Sequence, residues 1–151
     1  MRKVIDDVNL SNDYCFEKLF NLSDVEVKGY FNCSKNYLTN LIGSPHTVGK
    51  NFDCSYNQLN SLEGAPKTVG GNFYCRNNRL LSLKGAPQYI GGHFDCRDNQ
   101  LKNIEDIPKI INGNFFLSQP LIEKFTLEYI YSLSNIQGNV TSLDQPGFTF
   151  Y

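Results

Sequence analysis

The sequence predicts a solenoid, one chain wound into stacked coils, with parallel β-strands along one face and an irregular, extended outer side. Three observations predict it. Cys33, Cys54, Cys75 and Cys96 are each 21 residues after the last. The same spacing carries Phe31, Phe52, Phe73, Phe94 and Phe115, and then Asn36, Asn57, Asn78 and Asn99. It also carries Pro45, Pro66, Pro87 and Pro108, followed by Val48, Val69, Ile90 and Ile111. A period of this length marks supersecondary units that stack because none can bury its apolar side alone.

Residues 1–28 keep only traces of the period and are expected to form an N-terminal cap, with a short helix over Tyr14–Phe20 started by Asp13. Residues 29–117 hold four to five repeats of 21 residues with the pattern Phe-x-Cys-x-x-Asn-x-Leu. Phe and Cys two positions apart point to one side of a short strand, and that side must be the core. The Asn falls where the chain leaves the strand. There its side chain satisfies backbone groups of its own and adjacent coils that burial would otherwise leave unpaired. Gly-Ala-Pro at 64–66 and 85–87 excludes a helix on the outer side. The pairs Gly70-Gly71 and Gly91-Gly92 are expected to supply positive φ for the bend into the next strand. Residues 118–134 read as a capping helix, with Ser118 at its start, Pro120 in its first turn and a stripe of Ile122, Phe125, Tyr129, Ile130 and Leu133. Residues 135–151 form a tail, with a turn signal at Asp144–Gly147 that suggests a weak hairpin ending in Phe148, Phe150 and Tyr151.

The strand-and-turn half, Phe-x-Cys-x-x-Asn-x-Leu-x-x-Leu, resembles the leucine-rich repeat, with Phe and Cys in the strand's apolar slots. The Gly-Ala-Pro segment, Gly-Gly joint and Phe-x-Cys strand together resemble small repeat proteins encoded by tailed bacteriophages. The resemblance spans about residues 29–117. It implies a leucine-rich-repeat solenoid that docks on a protein, and, if phage-encoded, one that binds and modulates or inhibits a host protein such as a defence factor.

Bulk properties narrow the function. With 14 Lys and Arg against 15 Asp and Glu, the net charge of −1 exerts no global pull on nucleic acid or an anionic membrane. No apolar run reaches the roughly 20 residues of a transmembrane helix. The first residues lack the apolar core of a signal peptide, so a cytoplasmic location is expected. Five cysteines, an odd number, argue against a closed disulfide framework.

Each candidate chemical site also has a simpler reading. Strands about 4.8 Å apart spread the four cysteines over about 14 Å, too far to share one zinc ion. They read as core thiols, and no metal or cofactor is expected. Gly43–Lys50 hints at a phosphate loop, but it is one residue too long, Asn51 replaces the required Ser or Thr, and the stretch recurs as the repeat joint. Asp53 and Asp95 fall two repeats apart, at roughly 10 Å, near the spacing of an inverting glycosidase pair. A carbohydrate-active enzyme is therefore the weaker alternative.

The working surface is expected on the outward strand positions, which vary while the core positions repeat. Tyr30, Tyr56, Tyr74 and Phe116 offer stiff aromatic anchors, and Arg76 and Arg97 offer forked donors, the residue types that dominate interface energetics. Asn32, Asp53, His93 and Asp95 complete the candidate set, and the acids disfavour a polyanionic ligand. The expected role is a non-catalytic protein-binding module, with no nucleic-acid or membrane partner. The main alternative is a structural protein that self-associates through its end caps.

Overall fold

The structure is a computed structural model that describes residues 2–11, 14 and 16–143. It is a parallel β-solenoid of about six turns, and each coil contributes one short strand to each of two sheets. The first sheet is formed by β1 (Lys3–Ile5), β3 (Val25–Val27), β5 (Thr47–Val48), β7 (Thr68–Val69), β9 (Tyr89–Ile90), β11 (Ile110–Ile111) and β13 (Asn135–Ile136). The second is formed by β2 (Val8–Asn9), β4 (Phe31–Asn32), β6 (Phe52–Asp53), β8 (Phe73–Tyr74), β10 (Phe94–Asp95), β12 (Phe115–Phe116) and β14 (Val140–Thr141). Neighbours pair in parallel with equivalent residues in register, as Phe31 with Phe52 and Val48 with Val69.

The sequence placed strands on one side only, whereas the structure has a sheet on both sides of the coil. The side carrying Gly-Ala-Pro ends each time in a two-residue strand. A constant 21-residue period brings the same backbone groups opposite one another on both sides of the coil. Gly70 N–H donates to Val48 O and Gly91 N–H to Val69 O, each at 2.8 Å. Val48, Val69, Ile90 and Ile111 point inward from these strands and are 0–1% exposed.

The core lies between the sheets. Phe31, Phe52 and Phe73 stack with centroids 5.3 Å apart and planes within 7°. The Phe73–Phe94 pair turns edge-on at 61°, and the stack resumes at Phe94–Phe115. Cys33, Cys54, Cys75 and Cys96 are buried beside them. Burial pushes each thiol up, well above its ordinary range, so the ladder consists of neutral, apolar thiols.

The asparagine ladder binds across coils as the sequence implied. Asn57 Nδ2 donates to Cys33 O at 3.0 Å and Cys54 O at 3.1 Å, and Asn57 Oδ1 accepts from Leu38 N at 3.1 Å. Asn78 and Asn99 repeat the arrangement one and two coils on.

The joint glycines act differently from expectation. Positive φ occurs at Gly43, Gly64 and Gly85, the glycine before Ser-Pro or Ala-Pro, and not at Gly70-Gly71 or Gly91-Gly92. The paired glycines are needed because the previous coil passes too close for a Cβ. At Gly70 and Gly91 that atom would fall on the carbonyl oxygen of Gly49 and of Gly70 respectively.

The ends also differ from the expected caps. β1 and β2 extend both sheets within residues 1–28, and residues 16–20 form no helix. Asp13 lies outside the described residues. At the far end the expected single helix is two, α1 (Gln119–Lys124) and α2 (Leu127–Leu133). Phe125 and Thr126 between them are extended, and Thr126 caps α2 by accepting from Tyr129 N at 3.2 Å. These helices sit within a coil, because β13 and β14 continue both sheets after them. The strand at Val140–Thr141 is parallel to β12, and the other arm of the expected hairpin lies outside the described residues.

Candidate functional site

The outward face of the second sheet carries most of the candidate residues. Two repeating devices organise it. At the first outward position, from Asn51 onward, each side chain accepts from the backbone of the next coil. Asn51 Oδ1 accepts from Asn72 N at 2.8 Å and Asn72 Oδ1 from His93 N at 2.7 Å. His93 Nδ1 accepts from Asn114 N at 2.7 Å, and Asn114 Oδ1 from Asn139 N at 2.9 Å. His93 therefore occupies an asparagine's structural role, and burial pushes its pKa down. This ladder explains the second glycine of each joint: a Cβ at Gly71 would lie 2.5 Å from Asn51 Oδ1.

At the second outward position the side chain folds onto its own strand. Asn9, Asn32, Asp53 and Asp95 each accept, through Oδ1, the backbone N–H two residues on, at 2.9–3.1 Å. In Asn9, Asn32 and Asp53 the remaining polar atoms are available along the sheet at the strand spacing of about 4.8 Å.

The candidates divide into two groups along the solenoid. Tyr30 and Tyr56 are exposed, and Asn32, Asp53 and Arg76 are partly exposed. Tyr74, Asp95, Arg97 and Phe116, expected on the accessible face, are buried instead. Asp95 is 0% exposed and takes a two-pronged ion pair from Arg97, with Nε to Oδ1 at 2.9 Å and Nη2 to Oδ2 at 2.7 Å. Arg97 also donates through Nη1 to Ser142 O at 3.2 Å and stands 4.9 Å over the Phe116 ring. Outward direction on a strand set the expectation. For Asp95, Arg97 and Phe116 the C-terminal coil overrides it, because β14 lies beside β12 and Ser142 O accepts from Arg97.

This arrangement separates the two acids that suggested a glycosidase. Asp95 is sealed and committed to Arg97, so it shares no open cleft with Asp53. Asp53 itself lines a pocket of about 250 Å3 with Asn9, Tyr30, Asn32, Lys50 and Tyr74. Burial pushes the Asp53 carboxyl up, with the Asp95 charge adding to it and the Ser55 amide opposing it. Tyr74 forms one end of the pocket, with its hydroxyl accepting from Asn72 Nδ2 at 2.6 Å.

The turn beside this sheet carries a feature that residue type alone did not reveal. Lys35, Tyr56, Asn77 and Asp98, one per coil, all have φ between 54° and 57°. This left-handed corner turns Tyr56 outward at 46% exposure. Tyr14, Phe20, Tyr37 and Ile42 are also exposed, so the exposed aromatic side chains among the described residues concentrate in the first coils, while Leu127, Tyr129, Tyr131 and Leu143 are exposed towards the C-terminal end. Tyr14 and Tyr37 meet at 5.7 Å, and Tyr37, Phe16 and Thr39 line a broad open groove. Arg76 pairs with Asp98 at 3.2 Å across this corner, and its Nε has no partner among the described residues.

Among the described residues no group of three or more His, Cys, Asp or Glu is placed to hold a metal ion. No helix among them is long and apolar enough to cross a membrane. Fold and face together define a two-sheet β-solenoid that presents an aromatic corner and a small polar pocket. No protein-family model, no curated protein and no solved structure matches the chain.

Proposed function

We propose that this chain is a non-catalytic recognition module whose partner is a protein, docking on the corner and strand face of the first coils. The observation that supports it most is the concentration there of Tyr14, Phe20, Tyr30, Tyr37 and Tyr56, exposed on a rigid stack. Tyrosine offers large contact area at little conformational cost, and aromatic residues of this kind dominate interface energetics. The resemblance to leucine-rich-repeat proteins of tailed bacteriophages extends this reading. The partner is then a host protein met in the cytoplasm, a defence factor for example, whose activity the bound solenoid modulates or inhibits.

The test uses substitutions drawn from the chain's own repeats, so that each fits its site. Tyr30→Asn copies Asn51 and Asn72, Tyr56→Asn copies Asn77, and Arg76→Ser copies Ser34 and Ser55. The wild type and this triple variant are used as baits in lysates of candidate bacterial hosts. One protein held by the wild type and lost with the variant supports the reading. Equal recovery by both sinks the face assignment, and recovery of the bait alone points to self-association through the ends of the stack.

A further inference from the structure

The 250 Å3 pocket over β2, β4, β6 and β8 has a chemistry of its own, which neither protein docking nor the fold requires. From its donors, acceptors and charge we infer that it binds one neutral sugar ring, a hexopyranose either free or as a unit of a glycan chain. This inference stands apart from the protein-binding reading, and each can fail without the other.

The floor of the pocket is a graded row. Asn9 and Asn32 have their Oδ1 atoms occupied by the amides of Ser11 and Ser34, which leaves the Nδ2 donors for other use. Neither Nδ2 has a partner among the described residues. Asp53, one strand further on, is fixed in the same way by Ser55. A carboxylate has about four acceptor positions, so Asp53 keeps capacity after that bond. The row therefore runs donor, donor, acceptor at about 4.8 Å per step. Lys50 at the rim adds a further donor, the exposed ring of Tyr30 forms an aromatic wall, and Tyr74 closes the end.

Charge selects among ligands. The pocket is lined by one carboxylate and one ammonium group. A cationic ligand suits Asp53 but meets Lys50, and an anionic ligand meets the reverse. A purely apolar ligand would strip water from Asp53, Asn32 and Lys50 with no replacement. Hydroxyl groups resolve this conflict because each both donates and accepts. They donate to Asp53 and accept from Asn9, Asn32 and Lys50, while the apolar C–H face of a pyranose lies against Tyr30. Size agrees, because about 250 Å3 is below the roughly 300–1,000 Å3 of pockets for drug-sized ligands and suits a single ring. Asp95 is sealed beneath Arg97, so the two acids at glycosidase spacing do not face one cleft, and the site is assigned to binding, not hydrolysis.

The experiment is titration of the 15N-labelled chain with named probes, followed by amide chemical shifts. The sugar probes are methyl glucoside, methyl galactoside, N-acetylglucosamine, cellotriose and chitotriose. Lysine methyl ester and inorganic phosphate are the charged controls. Saturable shifts at Asn9, Tyr30, Asn32, Lys50 and Asp53 with at least one sugar, and none with either control, are expected. A monosaccharide that binds as well as its trisaccharide marks a free sugar as ligand, and a large gain with the trisaccharide marks a glycan. Asp53→Asn retains the turn, as Asn9 and Asn32 show, but converts the acceptor to a donor. It and Tyr30→Asn should each weaken binding ~10-fold or more. Absence of sugar shifts, shifts located elsewhere, binding of the charged controls in place of sugar, or unchanged affinity in a well-folded Asp53→Asn variant would each overturn the assignment.

Discussion

Single side chains decide how the outward face is divided. Arg97 and Asp95 form a buried pair, and breaking such a pair from one side leaves a charge without compensation. Arg97→Ala should therefore lower stability by about 3–5 kcal/mol, far more than an exposed arginine. Urea unfolding measures this, and a loss below ~1 kcal/mol would show that the pair carries little. Arg76→Ala provides the contrast. Its pair with Asp98 is partly exposed, and a cost under about 1 kcal/mol is expected. Asp53 supplies a pH-dependent prediction. Its native pKa is raised, so the folded state holds the proton more tightly than the unfolded chain does. That preference stabilises the protein below the unfolded carboxylate range and is lost as pH rises through the native value. Above the native value the wild type holds a desolvated charge that Asp53→Asn lacks. The variant should melt higher than wild type at pH 7, and the difference should close below about pH 4. A constant difference across that range would contradict a shifted Asp53.

At the scale of the element, the strands are two or three residues long and have little stability alone. Register is held by what lies between them: the asparagine ladder inside, the Asn51–Asn72–His93–Asn114 ladder outside, and the glycine joints. The glycine role is directly testable. Gly91→Ala adds a methyl group against the Gly70 carbonyl oxygen, which is backbone and has no rotamer by which to escape. A destabilisation of ~1–3 kcal/mol or more is expected by calorimetry or urea titration, where an alanine in an unstrained loop would be neutral or stabilising. Unchanged stability would mean that adjacent coils can separate at no cost. The sequence exposed the need for glycine here but not its cause. Positive φ is a property of one residue, whereas close approach depends on a coil 21 positions away.

For the whole molecule, each coil touches chiefly its neighbours, and stability is close to a sum over coils and their interfaces. The central repeats should therefore be interchangeable. Deleting residues 72–92 joins Gly71 to His93, which presents the same joint as Gly92 to His93. Asn51 then meets His93 N in place of Asn72 N, and Phe52 stacks on Phe94. The shortened chain should unfold cooperatively at a lower urea concentration than the full chain. Loss of cooperative unfolding would refute equivalence of the coils. The same deletion removes Tyr74 and Arg76, so it also reports on whether the face requires its full length.

Periodicity in the chain was sufficient to establish the solenoid, the inward Phe and Cys ladders and the bonding asparagines. Each of these repeats at one spacing, and a repeating core leaves few ways to stack. The first sheet was harder to see, because Thr47–Val48 and its equivalents are only two residues long and follow Pro and Gly. Their strand character arises from register with neighbouring coils and not from local propensity. The division of the candidate site had no sequence signal. Tyr30 and Tyr74 differ in exposure although both were assigned to the outward face. Tertiary packing decides which of them reaches solvent, because accessibility depends on what the rest of the chain lays over a position, and the residue at that position does not encode it.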